Sequence, residues 1–297
     1  MPAAQAVETG IESSPIGLHA IGAGLLPPKT PNGYLDIRGA TYTATTLKDG
    51  NGNTSRGPNR VEVQALAFKY VRQTDLSLWG GNYFWGVAVP LVKVKAEITV
   101  PGFVVGAPVP FVTLSGKDSG VGNVEIDAGG VHWDLDNLFI TSKLTFGLPT
   151  GSFDAKQLAN VGTKRAFVGP RIGAAYFPGN GWVLSQELRL DFNKKNNDTG
   201  YRSGHEMHLD LAVSKRFEGY PAFELGLAGY IYRQLGNDRS GTPAPASGRA
   251  RVQGLGPAFT YLNTDVGVWV SGNYAVESGA RNRFEGRRFW LRSGILF

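Results

Sequence analysis

The chain contains no cysteine. A disulfide framework, a thiolate metal site and a cysteine nucleophile are therefore excluded. Methionine is almost absent too, with 2 in 297 residues. Charged residues are 18% of the chain, below the share of about a quarter usual in soluble domains. Long apolar runs are missing. The longest uncharged stretch, residues 98–116, carries Pro101, Pro108 and Pro110, and a lipid-spanning helix does not satisfy its backbone through such breaks. No signal peptide is legible: Met1 is followed by Pro2, Ala3, Ala4, Gln5 and Ala6, with neither a basic region nor an apolar one. Taken alone, this leaves a cytoplasmic protein or a mature form with an added start methionine.

What is abundant points one way. There are 41 glycines, about twice the usual share, and hydrophobic residues reach 42%, too many for a disordered chain. Good helix formers rarely run together, so the composition predicts an all-β protein. Residues 1–32 are rich in Gly and Pro and nearly uncharged after Glu12; they read as an irregular arm, and residues 33–297 as the folded body. In that body, alternation of period two recurs. Leu184, Leu188 and Leu190 alternate with Ser185, Glu187, Arg189 and Asp191. Met207, Leu209 and Leu211 alternate with Glu206, His208 and Asp210. Phe289, Leu291, Ile295 and Phe297 alternate with Arg288, Trp290, Arg292 and Gly294. Over 61–70, Val61, Val63, Ala65 and Ala67 share the apolar face, and Glu62 and Gln64 begin the other. The charged face is solvent in a soluble sandwich and lumen in a membrane barrel.

The connections separate the two. About twelve strands are expected, over 33–47, 60–72, 82–96, 121–133, 138–148, 165–177, 182–192, 204–217, 222–235, 250–260, 264–276 and 286–297. Short turns at 134–137, 178–181, 218–221 and 262–263 contrast with long polar loops at 48–59, 149–164, 193–203, 236–249 and 277–285. That asymmetry, with an even strand number, predicts a transmembrane antiparallel up-and-down β-barrel of the bacterial outer membrane, its signal peptide removed. Trp79, Trp133, Phe139, Phe177, Trp182, Phe217, Tyr220, Phe223 and Tyr261 lie beside the short turns, where an interfacial aromatic ring is favoured. The chain ends on Phe297, as outer-membrane barrels commonly do.

Short motifs, taken in order, resemble the outer-membrane channel family linked to the meta-pathway of phenol degradation. They are Leu148-Pro149-Thr150-Gly151 with Ser152-Phe153-Asp154; Gly120-Val121-Gly122-Asn123, where Asn123 replaces an acid; Gly229-Tyr230-x-Tyr232-x-Gln234 with Asp238; Gly254-x-Gly256-Pro257; and the entry from Pro28 to Gly33-Tyr34. The resemblance covers most of residues 28–297. It implies a barrel often associated with the breakdown of aromatics or hydrocarbons.

The inward-facing candidates are Asp36, Arg38, Glu62, Glu125, Asp127, Lys143, Arg171, Glu187, Arg189, Asp191, Glu206, His208, Asp210, Glu224, Arg288 and Arg292. Both signs are present. They line a small polar channel or form an ionic filling, since the two share one sequence signature. The arm, through Ile16, Leu18, His19, Ile21, Leu25 and Leu26, is expected to tuck into the lumen; the alternative is a periplasmic tail. His205 and His208 are three apart, which on a strand places them on opposite faces, so no metal site and no cofactor are expected. No nucleophile motif accompanies the 4 histidines, so the expected protein is not an enzyme. Basic residues crowd the long loops, among them Lys48, Arg56, Lys164, Arg165, Arg239, Arg249, Arg281, Arg283 and Arg287. They suit lipopolysaccharide phosphates or the attraction of anionic solutes. They are too scattered for nucleic acid. The expected partners are outer-membrane lipid and a small permeant, and the expected state is a monomer. The apolar stretch 103–114 is read as a cover over the mouth or a headgroup contact.

Overall fold

The structure is a computed structural model that describes residues 12–100, 111–239, 248–263 and 266–297. Among the described residues thirteen strands follow one another: β1 (Tyr34–Lys48), β2 (Arg60–Leu78), β3 (Gly81–Val100), β4 (Val112–Val121), β5 (Glu125–Leu135), β6 (Leu138–Gly147), β7 (Phe167–Gly179), β8 (Trp182–Asn193), β9 (Glu206–Phe217), β10 (Tyr220–Gln234), β11 (Arg251–Asn263), β12 (Val268–Arg281) and β13 (Arg283–Leu296). Strands adjacent in sequence pair antiparallel except β4 and β5, because β5 pairs with β3 instead, and β1 pairs with β13 from Tyr34↔Leu296 to Lys48↔Arg283. That last ladder closes a twelve-stranded up-and-down barrel, leaving β4 as an extra strand. Closure leaves the barrel without an unpaired edge, which a bilayer would not tolerate.

β4 arises where β3 changes partner. The first part of β3 pairs with β5, from Asn82↔His132 to Ala88↔Glu125. Its second part pairs with β4, from Leu91↔Val121 to Val100↔Val112. The expected mouth cover over 103–114 is thus corrected at its end, since 112–114 open a strand; residues 101–110 lie outside the described residues. A second correction concerns 277–285. There is no long loop there: β12 runs to Arg281, β13 starts at Arg283, and Asn282 turns the chain with φ 52°. Glycine, asparagine and four charges mimic a loop in sequence, yet Glu277 and Arg283 are buried.

β2 and β3 have 19 and 20 residues. At about 3.3 Å per residue they are over twice the height of an apolar band of about 25 Å. Their outward side chains change character along the way. Leu66, Phe68, Val89 and Leu91 are exposed and apolar, whereas Glu62, Lys93, Lys95 and Glu97, on the same outward face beyond them, are charged. Elsewhere the belt continues through Ile172, Leu184, Leu211, Leu225, Leu227, Leu255, Val276, Phe289 and Leu291, all exposed. An apolar surface of that extent calls for hydrocarbon around it. At the short-turn end Trp79, Trp182, Phe217, Tyr220 and Phe223 are exposed, and Trp133 Nε1 donates to the Trp79 carbonyl at 2.9 Å. Phe139 departs from that ring. It is paired with fully buried Ala175 and stacks on His132 at 6.3 Å, inside the barrel.

The absence of native cysteine makes this placement directly testable. In a lipid bilayer, Glu62→Cys should react with a water-soluble maleimide, and Leu66→Cys about tenfold more slowly or not at all, because lipid withholds both reagent and thiolate. Equal rates would contradict the outward boundary between these two positions.

Candidate functional site

Cross-strand register decides which side chains share the interior. Asp36 opposes Lys69 on β2, and Arg38 opposes Arg292 on β13. Glu187 opposes Asp210, Arg189 opposes His208, and Asp191 opposes Glu206 between β8 and β9. Arg171 opposes Lys143 and Arg189, and Asp127 opposes Thr145. Side chains of one face thus form continuous rows around the barrel, because pleating keeps opposed residues on the same side.

Most of these charges are buried and paired. Asp36 Oδ2 accepts from Arg38 Nη2 at 2.6 Å and from Arg292 Nη2 at 2.8 Å. Asp127 holds Lys69, lies 3.0 Å from Lys143 Nζ, and accepts from the Thr145 hydroxyl at 2.6 Å. Arg189 reaches Asp210 at 2.8 Å and Glu187 at 3.2 Å. Arg171 lies 3.6 Å from Glu125 and 4.0 Å from Asp191. Glu224 accepts from Ser214 and lies 3.1 Å from Arg216. Arg288 bonds Glu12 at 2.9 Å and stacks over the Tyr42 ring. Removing a single member of such a pair leaves a desolvated charge behind, so the rows are mutually dependent.

The opposite side of the interior is different. Val61, Val63, Ala65 and Ala67 of β2 and Ala88, Pro90, Val92, Val94 and Ala96 of β3 line one side of a cavity of about 230 Å³, with Tyr42, Trp290 and Leu18 around it and Glu12, Arg38, Glu125, Arg283 and Arg288 at its charged side. Leu158, Ala159 and Val161, from the segment between β6 and β7, pack on Val94 and Ala96 and complete that wall. The interior therefore has an ionic wall and an aliphatic wall.

Residues 12–28 run along the ionic wall. Ser13 donates its backbone N–H to Glu206 Oε2 at 3.0 Å and its hydroxyl to Asn193 Oδ1 at 2.6 Å. The N–H groups of Gly17 and His19 donate to the two carboxylate oxygens of Asp210 at 3.2 and 3.0 Å. Gly22 N–H donates to Ser185 at 3.0 Å, Trp290 Nε1 to the Ile16 carbonyl at 2.9 Å, and Gln73 to the Pro27 carbonyl at 2.6 Å. Irregular backbone is thereby satisfied by inward polar side chains, the condition for its presence inside a membrane barrel. Gly24 has φ 90°, and a Cβ there would sit 2.6 Å from Ala174 Cα; only glycine allows the segment this close to β7.

Of the expected arm residues, Ile16, Leu18, His19 and Ile21 are buried, Leu26 is half-buried against Tyr34, Val71 and Phe84, and Leu25 is exposed. Residues 1–11 lie outside the described residues. Glu62 is a correction. It bonds Arg60 on the outer face, because Val61 and Val63 line the cavity and their neighbour must point away. Arg165 and Arg283 are also corrected: both are buried, Arg165 3.7 Å from Glu206 and Arg283 3.8 Å from Glu12, not displayed on loops. Sequence reasoning missed Lys69, Glu277, Tyr42 and Tyr230, whose hydroxyls both donate to Glu277 at 2.8 Å. Lys69 shares the parity of Val61–Ala67, so it is the charged position that reveals that face as inward.

Asp191, Glu206 and His208 bring three potential metal-ligand atoms within 4.8 Å of one another. His208 Nε2 lies 3.4 Å from each carboxylate. Glu206 already accepts from the Ser13 N–H at Oε2 and from Asn193 Nδ2 at Oε1, so the geometry is that of an imidazole between two acids. His205 lies apart, its Nδ1 accepting from Asn193 N–H at 3.1 Å. At the long-loop end, burial pushes the Asp238 carboxyl up, although Tyr201, Gly204 and Gln234 donate to it. The exposed Asp49 carboxyl is held below its usual range by the N–H groups of Asn53 and Asn51.

Asp210 is the hinge of the ionic wall and of segment 12–28. Asp210→Ala should destabilise the barrel by about 3–5 kcal/mol, the cost of stranding a buried partner, measured by its unfolding midpoint in detergent. Arg189→Met with Asp210→Leu should recover part of that loss, because Glu187 and the N–H groups of Gly17 and His19 still lose their partners. A double variant no more stable than the single one would contradict the pairing.

A family described as "Putative MetA-pathway of phenol degradation" matches residues 44–293. Among solved structures, the chain is similar to an outer membrane channel from Pseudomonas putida F1, with TM-score 0.69 and 12% identity over 91% of this chain and 97% of that one. It is also similar to the beta domain of the Bordetella autotransporter BrkA, with TM-score 0.53 and 12% identity over 90% of this chain and 100% of that one. No curated relative matches the chain. At such identities the structural likeness establishes the outer-membrane barrel fold. The family match spans most of the barrel, and the chain belongs to that phenol-degradation family.

Proposed function

We propose that the protein is a monomeric outer-membrane channel for passive uptake of small solutes, with aromatic or hydrocarbon-related compounds as the favoured class. One observation carries this reading: an aliphatic cavity of about 230 Å³ runs beside a wall of paired charges. A pore for ions or sugars has no use for a lining of Val, Ala and Pro, whereas an apolar or aromatic solute is desolvated favourably there. The ionic wall then serves to hold the shape of the interior and to anchor segment 12–28. The family's name adds the link to phenol breakdown, and the channel from Pseudomonas putida F1 shares the architecture.

In this reading residues 12–28 narrow the lumen, and passage requires them to shift. Extensive pairing of the inward charges favours a second reading, a structural barrel that conducts nothing. Swelling of liposomes containing the purified protein separates the two. Phenol-sized aromatic solutes should produce swelling, and deletion of residues 1–30 should raise single-channel conductance severalfold. No swelling with any solute, and unchanged conductance after the deletion, would favour the structural barrel. Ala65→Trp, which places an indole in the cavity, should slow aromatic uptake while leaving the barrel folded.

A further inference from the structure

On the outer surface, the register aligns three arginines in a row. Arg233 of β10 opposes Arg251 of β11, and Arg251 opposes Arg281 of β12. All three are exposed, and their neighbours Tyr232, Val252 and Ala280 are buried inside. Opposed Cα atoms lie about 5 Å apart, so three guanidiniums spring from roughly 10 Å of wall. Like charges directly opposite one another are destabilising, and among the described residues none of the three has an ion-pair partner. The row sits at the long-loop end, where β10 ends at Gln234 and β11 begins at Arg251.

Directly below it the apolar belt is hollowed. Gly229 faces Leu255 and Ile231 faces Gln253, and the absent side chain at Gly229 helps open one end of a surface hollow of about 750 Å³ that extends from Leu138 and Leu184 past Leu211 to Gln253 and Leu255. A cationic row over an apolar trough matches an amphiphile with phosphate above and hydrocarbon below. Arginine binds phosphate through paired N–H groups, and several arginines together favour a headgroup with more than one phosphate.

We propose that Arg233, Arg251 and Arg281, with the hollow beneath them, form a binding site for a multiply phosphorylated, multi-acyl glycolipid of the outer leaflet, the chemistry of lipid A. This rests on the outer-membrane reading and is independent of solute passage. The test measures binding of purified lipid A to the detergent-solubilised protein by native mass spectrometry. Wild type should bind bisphosphorylated lipid A at least about tenfold more tightly than dephosphorylated lipid A. R233Q/R251Q/R281Q should lose about the same factor, with folding checked by heat-modifiable gel mobility. Gln253→Trp, which fills the hollow and spares the arginines, should also weaken binding and serves if the triple variant does not fold. Equal binding by the variants, equal binding of dephosphorylated lipid, or displacement by millimolar inorganic phosphate alone would overturn the proposal; the last would make a free anion the ligand. Solute swelling of the triple variant in lipid A-free liposomes should stay at the wild-type level. A chain that binds lipid A but never swells liposomes would sink the channel reading and leave this site standing.

Discussion

The ladder between β1 and β13 is the constraint on which everything else depends. Fourteen register pairs, from Tyr34↔Leu296 to Lys48↔Arg283, turn an antiparallel sheet into a closed wall. Closure satisfies the backbone within the bilayer and leaves each strand only two environments for its side chains. Hydrocarbon takes Leu225, Leu255, Phe289 and Leu291. The interior takes Asp36, Arg38, Arg189 and Asp210, which must then find partners because bulk water is far away. The paired rows of the inner face are thus a consequence of closure.

The interior is not uniform, and the difference follows from which residues alternate. From β5 round to β9 and on β13, the inward rows carry paired charges among small and polar residues, and carboxylates on β9 hold the backbone of residues 13–19. On β2 and β3 the inward positions are Val, Ala and Pro above Lys69. Residues 12–22 therefore hug one wall through Asp210, Glu206 and Ser185 and leave the other open as a cavity, and the segment meets β2 and β3 only below Lys69, through Gln73, Val71 and Phe84. Hydrogen bonds hold the segment, while the aliphatic wall offers it no polar anchor. This separation is what suits the space to an apolar solute.

Much of this was legible in the sequence, and the failures have physical reasons. β8, β9 and β13 cross the bilayer with apolar and charged faces cleanly opposed, so their inner residues can be read directly. β2 cannot be read that way. It is long enough to leave the membrane, and its outward face changes from Leu66 and Phe68 to Glu62, while its inward face changes from Lys69 to Val61. A strand whose two faces exchange polarity halfway misleads any rule applied to one window. β4 was hidden because it pairs only with the far end of β3. The extension of β12 and β13 up to Asn282 was hidden because glycine, asparagine and charges otherwise mark loops, and above Val276 and Arg287 the two strands pair with β11 and β1 rather than with each other. Arg165 and Arg283 look like surface cations until the register and Glu206, Glu12 and Glu277 bring them inside.

Alternate residues of one strand meet lipid and lumen. Nitroxide scanning of 287–295 on β13 in a lipid bilayer tests it most directly. Labels at Phe289, Leu291 and Ile295 should be accessible to dissolved oxygen and shielded from a water-soluble nickel chelate, while labels at Arg288, Trp290 and Arg292 should show restricted motion and low oxygen access. An oxygen profile without a period of two along this strand would contradict the account.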